Sequence, residues 1–137
     1  MEHCSFCKIA RDGSGAAIAW HSGDLVVFAD HRPIRAGHMQ IIPRSHFEVF
    51  DDLPGPLLAD IVQLGQKIAK AQKRLYGVTR VGFVFTGNEV PHVHAHLIPL
   101  HSADDVTSAR YSDPGFAPID LAQQQMVAAQ LREALGE

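Results

Sequence analysis

His92-Val93-His94-Ala95-His96-Leu97-Ile98, closed by Pro99, sets three imidazoles at alternate positions between apolar residues. Extended backbone sends alternate side chains to the same side, so this spacing places all three rings on one sheet face and Val93, Ala95 and Leu97 in a core. Desolvating so many titratable groups needs an offsetting task. A phosphate, a metal ion or a proton transfer would each supply one. A second reactive pair stands near the N-terminus, where Cys4 and Cys7 have the Cys-x-x-Cys spacing of a redox pair or a metal knuckle. In a reducing compartment a static disulfide is the least expected of these.

The elements that must carry these residues follow from local pattern. Asp12-Gly13-Ser14-Gly15 reads as a turn, and residues 17–21 are short enough for an edge strand. Residues 25–30 and 38–42 are rich in β-formers, the second run stopped by Pro43, and together they suggest an antiparallel meander. Asp51-Asp52-Leu53-Pro54 suits a helix N-terminus, and the helix is expected to run to Tyr76 with Gly77 ending it. Its apolar stripe is expected from Leu57, Leu58, Ile61, Val62, Leu64 and Ile68. Residues 81–86 read as a buried strand, turned by Gly87-Asn88-Glu89 into the histidine strand as an antiparallel hairpin. A polar loop over 101–118 and a second helix over 119–135 complete an α+β chain, expected to be one domain over residues 1–137 with weaker patterning after residue 101.

Bulk properties narrow the partners. With 137 residues the chain can bury a core without disulfides, and a net charge of −3 offers no basic footprint for duplex nucleic acid or an anionic membrane. Residues 1–7 contain no apolar signal stretch, and no run of eighteen apolar residues exists to span a membrane. A cytoplasmic location is the default expectation.

Joined to Phe28-x-Asp30-x-x-Pro33, Gly37-His38 and Ile42-Pro43-Arg44-Ser45-His46, the histidine row resembles the histidine triad superfamily of nucleotidyl hydrolases and transferases. The Cys-x-x-Cys start is most similar to its Hint-like branch, and the resemblance runs from Cys4 to about Pro99. It implies a five-stranded antiparallel sheet crossed by one long helix and followed by a C-terminal helix, the sheet continuing through a homodimer. It also implies that His94 attacks the α-phosphorus of a nucleoside 5′-phosphate derivative, such as a nucleoside phosphoramidate or a dinucleoside polyphosphate, through a covalent nucleotidyl-histidine intermediate. A neutral imidazole is a good nucleophile near pH 7, and its phosphoramidate is labile enough to pass the nucleotidyl group to water. By the same resemblance His96 contacts the phosphoryl oxygens or the leaving group, and His38 completes the cluster. Phe28 lines the base pocket and Asp30 accepts ribose hydroxyls, a pairing that favours ribonucleotides without choosing a base; the resemblance makes a purine nucleotide or nucleotide conjugate the expected partner. In one place the chain departs from the pattern. Many relatives carry a longer Gly-rich segment ending Gly-Gln-Ser/Thr-Val, whereas here Gly87-Asn88-Glu89-Val90-Pro91 puts a carboxylate where the hydroxyl stands. A carboxylate facing phosphate is repulsive, which leaves the phosphate to Asn88 and the backbone N–H groups of Gly87 to Glu89.

For the zinc-bearing members the resemblance completes the knuckle with His46 and His92, so Cys4, Cys7, His46 and His92 would form a closed tetrahedral shell around structural zinc. His92 would then fix the backbone beside His94. No organic cofactor is expected. Two other readings compete: a nucleotide-binding sensor or scaffold with little turnover, and a metal hydrolase ligated by His92, His94 and His96. Alternate strand residues lie roughly 7 Å apart, so the second needs ligands from other strands. His3, His21, His31 and His101 are expected on the surface or in loops, His31 at the rim of a base pocket.

Overall fold

Three short β-rich runs separated by turns form a meander, β1 (Ile18–His21), β2 (Leu25–Ala29) and β3 (Met39–Pro43), each antiparallel to the next. The computed structural model describes residues 4–13, 15–87, 90–106 and 118–136. From β3 the chain crosses the sheet as α2 (Gly55–Tyr76), enters β4 (Val81–Thr86) at the far edge and returns as β5 (His94–Pro99). The strand order β1-β2-β3-β5-β4 leaves β5 flanked on both sides, and all six of its residues are buried. The five-stranded antiparallel sheet and both expected helices are present.

Alternation sorts the strands into two faces. Val27, Ala29, Met39, Ile41, Ala95 and Leu97 pack with Ile61, Leu64, Ile68 and Ala71 of α2 and with Ala128 and Leu131 of the C-terminal helix α3 (Leu121–Leu135). Val93 joins this cluster as expected. The other face carries Val26, Phe28 and Ile42 under the N-terminal helix α1 (Ser5–Asp12), and also Gln40, His94 and His96.

Several expectations need correction. Helix α1 was not anticipated; the Cys4 thiol caps it by accepting from the Cys7 N–H, and Gly13 ends it in the left-handed region at φ 74°. Asp51 and Asp52 do not open α2, because they form a separate 3₁₀ turn over Phe50–Asp52 and α2 begins only after Pro54. Val62 is 44% exposed, since the buried face runs through Ile61, Leu64, Gly65, Ile68, Ala71 and Gln72 at spacings of three and four. Strand β4 is half-buried rather than buried because the sheet ends there. His92 lies outside β5, two residues before its start, and the polar stretch after residue 100 contains a 3₁₀ turn over Ala103–Val106. That turn buries Asp105 against Arg35, whose Nε donates at 3.0 Å.

Two buried groups hold the loop that delivers His38. Gln72 of α2 donates to the carbonyls of Gly37 and Leu97, both at 3.0 Å, and so ties the β3 entrance to β5. Gly37 itself has φ 89°, and a Cβ placed there would lie 2.1 Å from the Tyr76 ring. Gly37→Ala should therefore cost about 3 kcal/mol, combining left-handed strain with overpacking. Urea unfolding measures it, and a loss below about 0.5 kcal/mol would show that Tyr76 moves aside freely.

Candidate active site

The register of the sheet builds the site as a rung. Phe28 of β2 stands opposite Gln40 of β3, Gln40 opposite His96 of β5, and His96 opposite Val84 of β4; one step along, Thr86 stands opposite His94. His94 and His96 therefore share a face, with ring centroids 5.1 Å apart. His38, arriving just before β3, sets its ring 5.0 Å from that of His96. Phe6 of α1 presents an edge to both Phe28 at 5.5 Å and His94 at 5.1 Å.

Proton positions on the rings follow from backbone groups that have no choice of role. The Ile34 N–H donates to His38 Nδ1 at 3.0 Å, so the His38 proton sits on Nε2. That Nε2–H faces His96 Nδ1 at 2.8 Å and Asp30 Oδ2 at 3.4 Å. The His96 proton is thereby placed on its own Nε2. At the other end the His92 carbonyl can only accept, so His94 Nδ1, 2.7 Å away, carries the proton and Nε2 keeps the lone pair. Thr86 Oγ1 lies 2.9 Å from His94 Nε2 and 3.2 Å from His96 Nε2.

Burial favours the neutral form of His38 and His96. It holds His38 below the ordinary imidazole range despite the pull of Asp30, and with His38 and His94 alongside it pushes His96 down to about 3. For Asp30 burial works in the raising direction, but His38, the Arg32 N–H, His96 and Gln40 outweigh it and hold the carboxyl below its usual value. Asp30 Oδ1 accepts from the Arg32 N–H at 2.8 Å and Oδ2 from Gln40 Nε2 at 2.8 Å. The carboxylate thus faces the inner end of the histidine chain, with part of its accepting capacity already used.

The second group forms at the mouth of α1. Cys4 Sγ lies 3.4 Å from His92 Nδ1, while Cys7 Sγ lies 3.2 Å from His46 Nδ1 and 3.4 Å from His92 Nδ1. All four donor atoms fall within 4.8 Å of one another. For bonds of about 2.3 Å to sulfur and about 2.05 Å to nitrogen, tetrahedral ligands sit about 3.6 Å apart, close to what is found. The tautomer fits as well: His92 Nε2–H donates to the Pro43 carbonyl at 2.9 Å, leaving Nδ1 unprotonated toward the thiols. Both cysteines are free, and the cluster can hold a metal ion.

The sequence-derived residues are thus divided rather than pooled. Among the described residues His92 joins the cysteines, whereas His94 and His96 join His38, and no donor set draws His92, His94 and His96 together. Asn88 and Glu89 lie outside the described residues, as does His3; Gly87 is exposed next to Thr86. His21, His31 and His101 are exposed. Sequence reasoning missed Phe6, Gln40 and Thr86. The apolar positions 6, 9 and 10 were a helical signal that could have found Phe6, but Thr86 acquires its place only from the hairpin register. A cavity of about 310 Å³ lined by Trp20, Leu64 and Leu135 lies on the helix-covered side and holds none of these histidines.

With an antiparallel sheet, an α2 crossover and this paired histidine site, the class is a histidine-triad fold. The HIT domain pattern matches residues 14–103, and the chain belongs to the HIT domain family. It is 30% identical over 105 residues to an uncharacterised HIT-like protein of Methanocaldococcus jannaschii, covering 74% of this chain and 81% of that one. It is 34% identical over 97 residues to adenosine 5′-monophosphoramidase HNT1 of Saccharomyces cerevisiae, covering 70% of this chain and 61% of that one. In structure it is similar to a Zn-bound histidine triad family protein from Mycobacterium smegmatis, with TM-score 0.79, 23% identity and coverage of 98% and 94%.

An imidazole whose folded pKa lies below its unfolded value of about 6.5 contributes stability that is complete above that pH and is lost as the pH falls. For His96 the loss extends down toward about 3. Urea unfolding from about pH 7 to about pH 5 should show the wild type losing up to about 1 kcal/mol per pH unit more than His96→Asn. Parallel pH dependences would mean that the fold does not keep this ring neutral.

Proposed function

We propose that the chain is a nucleotide hydrolase or nucleotidyl transferase acting at the α-phosphate of a nucleoside 5′-phosphate derivative, with His94 as the nucleophile. One observation carries this reading: the His92 carbonyl holds the Nδ1 proton of His94 and so leaves Nε2 with a lone pair on the Thr86 and His96 side. That pair forms a bond to phosphorus while the bond from phosphorus to the leaving nitrogen or oxygen breaks, the leaving group keeping its electrons and taking a proton from solvent. Water then attacks phosphorus and gives up a proton to solvent, the P–N bond returns its pair to Nε2, and the nucleoside monophosphate departs. His96 donates from Nε2 toward the charge that develops, and His38 holds it in place by donating to its Nδ1. Phe28 and Phe6 offer an aromatic wall to a purine, and Asp30 offers its remaining lone pairs to ribose hydroxyls. Gly87, Asn88 and Glu89 belong to the phosphate side of this reading. A phosphoramidate substrate is favoured by the yeast phosphoramidase among the relatives.

Structural zinc on Cys4, Cys7, His46 and His92 is part of the same proposal, supported by the donor chemistry and spacing of those four atoms. When bound, the ion would clamp α1 to the sheet and steady the His92 backbone that holds His94. A second copy of the chain joined along β4 also belongs to it, because β4 is an outer strand with Phe83 and Phe50 exposed beside it.

Incubating the protein with radiolabelled adenosine 5′-phosphoramidate and quenching in base should trap nucleotide on His94, and His94→Ala should lose at least about 1000-fold in kcat while still binding AMP. Turnover by that variant near the wild-type rate would end the nucleophile assignment. Separately, Cys4→Ser should lower zinc content per chain and the melting temperature more than the rate per folded molecule. Equal metal content in wild type and variant would remove the zinc site.

A further inference from the structure

Two hydrogen-bond chains converge on a single hydroxyl. From the Ile34 N–H the first runs through His38 to His96 and ends at His96 Nε2–H, a donor. From the His92 carbonyl the second runs back through His94 and ends at Nε2, an acceptor. Thr86 Oγ1 lies between them at 3.2 and 2.9 Å, and a hydroxyl can accept once and donate once at the same time. Set between that donor and that acceptor, the hydroxyl takes one direction: His96 Nε2–H donates to Thr86 Oγ1, and the Thr86 O–H donates to His94 Nε2.

Resting on the functional reading above, we propose that Thr86 is the positioning residue for phosphoryl transfer, its hydroxyl aligning the attacking nitrogen of His94 and then handing its hydrogen bond to the substrate. At rest the hydroxyl hydrogen occupies the lone pair that must reach phosphorus. Attack requires phosphorus to come within about 3 Å of that nitrogen, where the hydroxyl hydrogen now stands. The O–H therefore swings to a non-bridging phosphoryl oxygen, and His96 Nε2–H turns to the same group. The number of hydrogen bonds is conserved. Neither Thr86 nor His96 gains or loses a proton in this exchange; the N–P bond forms, the bond to the leaving group breaks, and the leaving group keeps the pair and takes a proton from solvent. Threonine suits the task because its branched Cβ restricts χ1 to few wells, and its strand register opposite His94 fixes the distance.

The test uses the full chain with adenosine 5′-phosphoramidate, comparing Thr86→Val, which keeps the shape and loses the hydroxyl, with Thr86→Ser, which keeps the hydroxyl. The valine variant should lose about 30-fold or more in kcat with KM within about threefold, and serine should recover to within about fivefold of wild type. In ¹⁵N imidazole spectra without substrate, His94 Nε2 of the wild type should show the shift of a hydrogen-bonded acceptor and should move downfield in the valine variant. An unbonded shift in the wild type, or a folded valine variant with near wild-type kcat, overturns the proposal. Failure of the wild type to form the His94 adduct would instead bring down the functional reading, and the spectra need no turnover to be decisive.

Discussion

A carbonyl that can only accept and an N–H that can only donate govern the chemistry of this protein. The His92 carbonyl fixes the proton of His94 and the Ile34 N–H fixes that of His38, and every hydrogen bond between them then has one permitted direction. Side chains alone could not impose this, since each imidazole has two nitrogens of nearly equal basicity. Backbone groups break the tie because their roles cannot change.

Holding four titratable side chains in a buried face is costly unless each is paired. His38, His94, His96 and Asp30 are each 7% exposed or less, and each has partners on neighbouring strands or on the loop before β3. Burial favours neutral His38 and His96, while the carboxyl of Asp30 is held below its usual value, against burial, by His38, the Arg32 N–H, His96 and the Gln40 amide. The polarity of the site therefore comes from one anion at the inner end and one lone pair at the outer end. The central place of β5 allows this, because both flanking strands contribute a partner at the register of the histidines.

His92 links the two halves of the molecule's chemistry. Its carbonyl accepts from His94 Nδ1, its Nε2–H is anchored on Pro43, and its Nδ1 faces the cysteine pair. Helix α1 serves both groups: the Cys4 thiol caps it, and Phe6, two residues further on, packs against His94. Disturbing the N-terminal cluster should therefore reach His94 by two routes, through the His92 peptide group and through the Phe6 ring.

Much of this was legible in the residues themselves. Period-two spacing announced a strand with Ala95 and Leu97 inward and His94 and His96 outward, and the two helices and the meander followed from pattern and turn chemistry. The resemblance carried the division of cysteines and histidines into a metal knuckle and a reactive pair, and the four knuckle atoms do converge. What local pattern could not reach were facts made by distant chain. Strand β4 became an edge only because β5 returned inside it; Val62 became exposed only because α2 turned another face to the sheet; Thr86 met two histidines only through hairpin register. Sequence alone determined which side chains face together, since that depends on a two-residue repeat. Tertiary structure alone decided which nitrogen of His96 holds the proton, since the His38 ring that settles it lies 58 residues away in the chain, a pairing that no short window of residues contains.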